Sequence, residues 1–192
     1  MMGKRGKVIV FTGDAKGKTT AALGLAVATA SYGQRATVIQ FLKGGGYTGE
    51  LFAKEWLTPY LEIRQFGFGC PYSAAIKNGT IQCIQCGKCF GENRRPGSPF
   101  ARQAFEYATQ VVTAGESQVV VLDEISHALR HKLLAMDEVV SLLVSRPEGM
   151  TVVLTGRNMP DELLQVADEI TECVPVKHPF ESGIAARRGS EY

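Results

Sequence analysis

The stretch Thr12-Gly13-Asp14-Ala15-Lys16-Gly17-Lys18-Thr19-Thr20 decides how this chain folds. An apolar run, Val8-Ile9-Val10-Phe11, leads into it, and a segment rich in alanine and leucine follows. Strand, glycine-bearing loop, Lys-Thr-Thr and helix, in that order, are the parts of a phosphate-binding loop. Backbone N–H groups of the loop and helix start converge on an anion, and the helix dipole adds to their field. Lys18 supplies a point charge for the outer phosphates, and the Thr19 hydroxyl is placed to ligate Mg²⁺. The usual spacing, G-x-x-x-x-G-K-[ST], is one residue longer. Here only Asp14, Ala15 and Lys16 separate Gly13 from Gly17, so Thr12 stands where the first glycine is expected.

Outward from the loop, strands and helices alternate. Lys7 to Phe11 reads as a strand covered on both faces. The helix from Thr19 carries Ala21, Ala22, Gly24, Ala26, Ala28 and Ala30 for close packing, and Gly33 closes it in the left-handed conformation. Strands follow at Ala36 to Leu42 and Leu61 to Phe66, with a short helix from Leu51 to Pro59 between them. Ser98 and Pro99 read as N-cap and first position of a helix that Gly115 ends. Val119 to Leu122 is a strand terminating in Asp123-Glu124, and Asp137 to Val144 is a helix. Thr151 to Leu154 is a strand delivering Thr155-Gly156-Arg157; Pro160 opens another helix, and Ile170 to Val176 is the last strand. The pattern predicts a single α/β domain over residues 1–192, with a mainly parallel sheet and helices on both faces. Residues 67–99 break it: Gly, Pro, Asn and Cys without sustained periodicity predict an irregular, cysteine-bearing insert that needs something to hold it.

Composition narrows the function. The 192 residues are 45% hydrophobic and 21% charged, a soluble globular balance, and the net charge of +2 is too small to argue for nucleic acid or a membrane surface as partner. No apolar run approaches the roughly 18 residues that span a bilayer. A cytoplasmic protein is the expectation, and five cysteines there call for something other than disulfides.

In sheets of this kind ligands sit beyond the carboxyl ends of the strands. Those ends carry Thr12-Gly13, Lys43, Asp123-Glu124, Thr155-Gly156-Arg157 and Lys177-His178: hydroxyls, two acids and several cations, which suit a Mg²⁺-triphosphate. An acid after an apolar strand is the second half of the P-loop signature and holds Mg²⁺ with Thr19. Arg157 can fork onto a phosphate. These residues would serve an ATPase, in which Glu124 activates water, a kinase, or a transferase with triphosphate as leaving group. A non-enzymatic, nucleotide-gated redox sensor built on the cysteines also fits.

Several segments resemble the P-loop class of ATP:corrinoid adenosyltransferases. They are Phe11 to Gly24 with its short spacing, Val38-Ile39-Gln40-Phe41-Leu42-Lys43-Gly44, Val121-Leu122-Asp123-Glu124-Ile125, Ala128-Leu129-Arg130, Arg146-Pro147, Leu154-Thr155-Gly156-Arg157-Asn158, and Val176-Lys177-His178-Pro179-Phe180 through to Gly189-Ser190-Glu191-Tyr192. The resemblance implies that Co(I) of a reduced corrinoid attacks the 5′ carbon of ATP and displaces triphosphate. It implies a nucleotide site of Gly13, Asp14, Ala15, Lys16, Gly17, Lys18, Thr19, Thr20, Lys43, Arg157 and His178. Lys18, Glu124 and Arg157 would act on the leaving group, with Thr19, Asp123 and Glu124 on Mg²⁺. A homodimer and a corrinoid reductase or flavoprotein partner are implied as well. Two departures stand out. Asp14-Ala15-Lys16 replaces the family's usual Asn-Gly-Lys, and Gly69-Cys70-Pro71-Tyr72 replaces the usual corrin-lining Gly-Phe-Thr-Trp-Glu-Thr.

Within the insert, Cys83-x-x-Cys86-x-x-Cys89 resembles the start of a ferredoxin motif, whose remote fourth cysteine precedes proline, as Cys70 precedes Pro71. A [4Fe–4S] cluster on these four thiolates is the first expectation, zinc the alternative, and unmetallated thiols the third reading. Cys173 is read as core within the last strand.

Overall fold

A computed structural model describes residues 6–45, 49–81 and 88–177. Its sheet has six strands, β1 (Val8–Thr12), β2 (Ala36–Phe41), β3 (Leu61–Phe66), β4 (Val119–Asp123), β5 (Thr151–Thr155) and β6 (Glu169–Glu172). They lie in the order β3-β2-β4-β5-β1-β6, every pairing parallel. From β1 the chain crosses past β5 and β4 to β2, and from β5 it passes β1 to reach β6. Connections therefore part around β1, and a crevice for a ligand opens at its carboxyl end.

Both faces are covered. Helix α1 (Lys18–Ser31) lies on one side, where Ala22, Ala26 and Ala30 recur every four residues and are buried against Ala36, Val38, Val121 and Val153. Of the small residues expected to touch the sheet, Gly24 and Ala28 instead face solvent, because they lie on the side of the helix opposite Ala22, Ala26 and Ala30. Gly33 closes the helix at φ 72°, donating to the Ala30 carbonyl at 2.9 Å. Helix α2 (Gly49–Leu57) extends this side, two residues earlier than its apolar pattern suggested. On the other side, α4 (Phe100–Ala114) buries Ala101, Ala104, Phe105, Ala108 and Val112 together with α6 (Met136–Val144) and the short helices α5 (Ile125–Arg130) and α7 (Asp161–Gln165).

Three expectations need correction. Residues 67–99 are not structureless where they are described: they form helix α3 (Ser73–Lys77) and a 3-10 helix, Lys88–Arg94. What holds this segment among the described residues is Asn93. Its Oδ1 accepts from the Phe68 N–H at 2.6 Å, and its Nδ2 donates to the carbonyls of Leu42 (3.0 Å) and Phe68 (2.9 Å). Beneath it the backbones after β2 and β3 cross so closely that a Cβ on Gly44 would sit 1.7 Å from the Gly67 carbonyl oxygen. Second, Ser98 does not cap α4; Pro99 occupies the cap and the Ser98 hydroxyl finds no partner among the described residues. Third, β6 stops at Glu172, and Cys173 is a half-buried residue beyond the strand rather than core.

Helix α6 is tied to α4 by a forked pair: Arg102 donates to both oxygens of Glu138 at 2.8 and 2.9 Å, and the Ala135 N–H adds a bond at 3.2 Å. The Arg102 bonds hold the Glu138 carboxyl below its ordinary 4.5, against a smaller opposing effect of burial. A carboxyl depressed in the folded state contributes stability that is present above the unfolded value and lost as pH falls through the folded one. Because the pair is solvent-exposed, Glu138→Gln lowers the melting temperature at pH 7 by only about 1–3 °C. Thermal scans across pH should show that gap closing in acid.

Candidate active site

Strand β1 ends at Thr12, and the loop turns at Gly13, whose φ of 99° favours glycine. A Cβ there would stand 2.4 Å from the Cys173 carbonyl oxygen, so the position has no room for a side chain either. The chain after β6 braces the loop from behind: the Cys173 N–H donates to the Thr12 carbonyl at 2.8 Å, and the Ala15 N–H donates to the Cys173 carbonyl at 3.0 Å. Lys18 opens α1 with 7% of its surface exposed. Its ammonium donates to the carbonyls of Gly13 (2.7 Å) and Ala15 (2.6 Å), inside the bowl that the loop makes.

Asp123, at the end of β4, is 1% exposed. Its Oδ1 accepts from the hydroxyls of Thr19 (2.8 Å) and Thr155 (2.6 Å), and its Oδ2 accepts from Gln40 Nε2 at 2.9 Å. Burial pushes its carboxyl up; the Thr155 bond, the Lys43 charge and the Thr19 bond oppose this, and the neighbouring Glu124 charge adds to it. Glu124 takes a left-handed conformation, φ 64°, at the start of α5, and its N–H donates to Thr155 Oγ1 at 3.0 Å. Its carboxylate pairs with His127 Nδ1 one helical turn on. Burial alone would raise the Glu124 carboxyl. His127 and the fields of Lys18 and Lys43 outweigh it and hold it below its usual range.

Residues 15–20, Glu124 and Arg157 line an open cleft of about 310 Å³. Hydroxyl and carboxylate oxygens, cations and helix N–H groups in one lining suit a hard divalent cation with a polyphosphate. Ser126 holds the backbone of Arg157 in place by donating to its carbonyl at 2.8 Å. Asp14 is exposed beside this lining. Lys43 lies off the cleft wall and pairs with Glu50 of α2 at 2.5 Å. His178, Cys83 and Cys86 lie outside the described residues, as does the Cys89 side chain. Among the described residues no group of His, Cys, Asp or Glu is arranged to hold a metal as a cluster, and Cys70 is a free, half-buried thiol.

Sequence reasoning missed Gln40, His127 and the brace at Cys173. The first had a signal: a glutamine in the middle of Val38-Ile39-Gln40-Phe41 is a polar side chain in a buried strand and needs a polar partner. His127, three residues after Glu124 on a helix, had one too. The Cys173 brace is made by backbone groups, which leave no trace in side-chain identity.

The family described as ATP:corrinoid adenosyltransferase BtuR/CobO/CobP matches residues 4–192. The chain belongs to this family. It is 32% identical over 190 residues to the corrinoid adenosyltransferase of Escherichia coli (strain K12), covering 98% of this chain and 87% of that one. With the corrinoid adenosyltransferase CobA of Salmonella typhimurium (strain LT2) it shares 32% over 189 residues, at the same coverage of each chain. A corrinoid adenosyltransferase of a Sinorhizobium species is 35% identical over 190 residues, 98% of this chain and 81% of that one. Membership in a corrinoid adenosyltransferase family makes this an enzyme of adenosyl transfer from ATP to a corrinoid, and sets the ATPase, kinase and sensor readings aside.

Proposed function

We propose that the cleft holds the whole triphosphate of ATP as a leaving group while Co(I) of a reduced corrinoid attacks the 5′ carbon. The cobalt–carbon bond takes its electron pair from Co(I), which ends as Co(III). The 5′ C–O bond breaks and its pair leaves on triphosphate. The observation that carries this reading is the Thr19–Asp123 link at 2.8 Å, which joins the phosphate loop to the acidic strand end beside Lys18 and Arg157. Thr19, Asp123 and Glu124 would hold Mg²⁺, which supplies charge neutralisation to the departing oxygens. Lys18, the loop amides and Arg157 stabilise the same growing charge. The substrate metal is the nucleophile, so the protein's part is positioning, electrostatics and exclusion of water.

The corrin would approach from the side of residues 67–99, where Phe68 and Tyr72 expose apolar rings beyond β3. The spacing of Cys70, Cys83, Cys86 and Cys89 supports a metal there, [4Fe–4S] first and zinc as the alternative; anaerobic purification yielding neither iron with sulfide nor zinc would remove it. A homodimer and a reductase that delivers Co(I) complete the proposal on the family likeness.

Incubation with Mg-ATP and a Co(I) corrinoid, followed by absorbance, tests the central step. Cobalt–carbon bond formation should match intact triphosphate mole for mole. ADP and phosphate as products would overturn it.

A further inference from the structure

Gln40 is fully buried in β2 between Ile39 and Phe41. The strand register places it level with Gln65 on β3 and with Asp123 on β4. Gln65 Nε2 donates to Gln40 Oε1 at 2.7 Å, and Gln40 Nε2 donates to Asp123 Oδ2 at 2.9 Å. The same amino end lies 3.5 Å from Glu50 Oε1. Oδ1 of Asp123 is left to Thr19 and Thr155. Three side chains on adjacent strands thus form a one-way chain of donors that ends at Asp123, into which Thr19 of the phosphate loop also donates.

The sense of that chain has a cause. A glutamine amide turned over by half a rotation keeps its shape and exchanges only donor for acceptor. Turned over, Gln40 would set its oxygen against a carboxylate that can only accept, and its amino group against the amino group of Gln65. Asp123 and Glu50, which can only accept, draw the amino end of Gln40 toward them, and the donor at position 65 holds its oxygen end in the same sense. A buried carboxylate that lost this bond would keep its desolvation cost with only the two threonine hydroxyls to offset it.

We propose that Gln65 is a positioning residue for the metal-binding carboxylate: its amide anchors the oxygen end of Gln40, whose amino end holds Asp123 with Oδ1 turned to Thr19. The inference rests on the reading of Asp123 as a Mg²⁺ ligand. It also gives β3, the strand that runs into residues 67–99, a direct polar link to the nucleotide site.

Two substitutions separate polarity from shape. Gln65→Met removes the donor, whereas Gln65→Glu, the closer isostere, sets an acceptor against the Gln40 oxygen and works against the sense that Asp123 and Glu50 impose. ATP affinity is measured by calorimetry at pH 8, in Mg²⁺ and in EDTA, beside the melting temperature of the metal-free protein. In Mg²⁺ the Gln65→Met variant should bind ATP about tenfold more weakly and the Gln65→Glu variant about a hundredfold, on the scale of a lost bond to a charged group. In EDTA both should stay within about threefold of the parent, since a handicap confined to the metal disappears with it. Equal losses in the two variants would overturn the proposal. So would a loss for Gln65→Glu that is larger in EDTA than in Mg²⁺, the mark of plain charge repulsion on unchelated ATP. Should Gln65→Glu fail to fold, parental affinity of Gln65→Met in Mg²⁺ overturns it alone. An unsubstituted protein that binds ATP equally well with and without Mg²⁺ would instead remove the reading of Asp123, and the inference with it.

Discussion

Lys18→Ala is expected to lower kcat/KM for adenosyl transfer by about a thousandfold, at the upper end of what one preorganised group is worth to a developing charge. The ammonium is almost wholly buried, and its two partners are carbonyls of the loop itself. Those carbonyls compete weakly with a polyphosphate, so the charge is already in place and has little distance to move when ATP binds. Triphosphate gains charge as the 5′ C–O bond stretches, so the loss should fall more on kcat than on KM. Lys18→Arg should not restore activity, because a planar fork cannot share the narrow bowl between Gly13 and Ala15. Steady-state kinetics with Co(I) held in excess would read the split. A variant that kept kcat and lost only ATP affinity would show that Lys18 binds ground state and transition state alike.

How much of this was legible beforehand differs between elements for physical reasons. Helix α1 and the five strands β1, β2, β3, β4 and β5 were readable because each is apolar on the period of its own geometry and is bounded by glycine or a charged strand end. Asp123 and Glu124 stood out as carboxylates after an uninterrupted apolar run. The end of strand β6 was misjudged because it is an exposed edge: Ile170 in the strand and Val174 beyond it face solvent, and apolar identity no longer signals burial. Helix α5 went unread because its six residues are too few for a period to show. Lys43 was placed by its position after β2, and nothing in that position announced Glu50 as its partner. Contacts such as Asn93 with Leu42 and Phe68 span distant parts of the chain through backbone groups, which side-chain patterns do not encode.

Asp123→Asn should separate stability from activity. Adenosyl transfer should fall by about 10²–10³-fold, since the amide cannot hold Mg²⁺ as a carboxylate does. The metal-free protein should nevertheless melt about 2–4 °C higher near neutral pH, the equivalent of roughly 1 kcal/mol in a chain of this size. The reason is the sign of the perturbation. Burial raises the Asp123 carboxyl above its ordinary 3.8 more than its hydrogen bonds lower it. A carboxyl raised in the folded state binds its proton more tightly there than when unfolded. Its contribution to stability therefore falls as pH climbs from the unfolded value through the folded one, and then stays level. An asparagine carries no such penalty. It can turn its oxygen to Gln40 and donate to Thr19 and Thr155, whose hydroxyls reverse their sense at no steric cost. Thermal scans in EDTA should show the two proteins converging in acid and parting as pH rises to neutrality. Added Mg²⁺ and ATP should then lift the parent past the variant, because only the parent binds them tightly. A variant less stable than its parent at every pH in EDTA would mean that the three donors, rather than the buried charge, dominate this position.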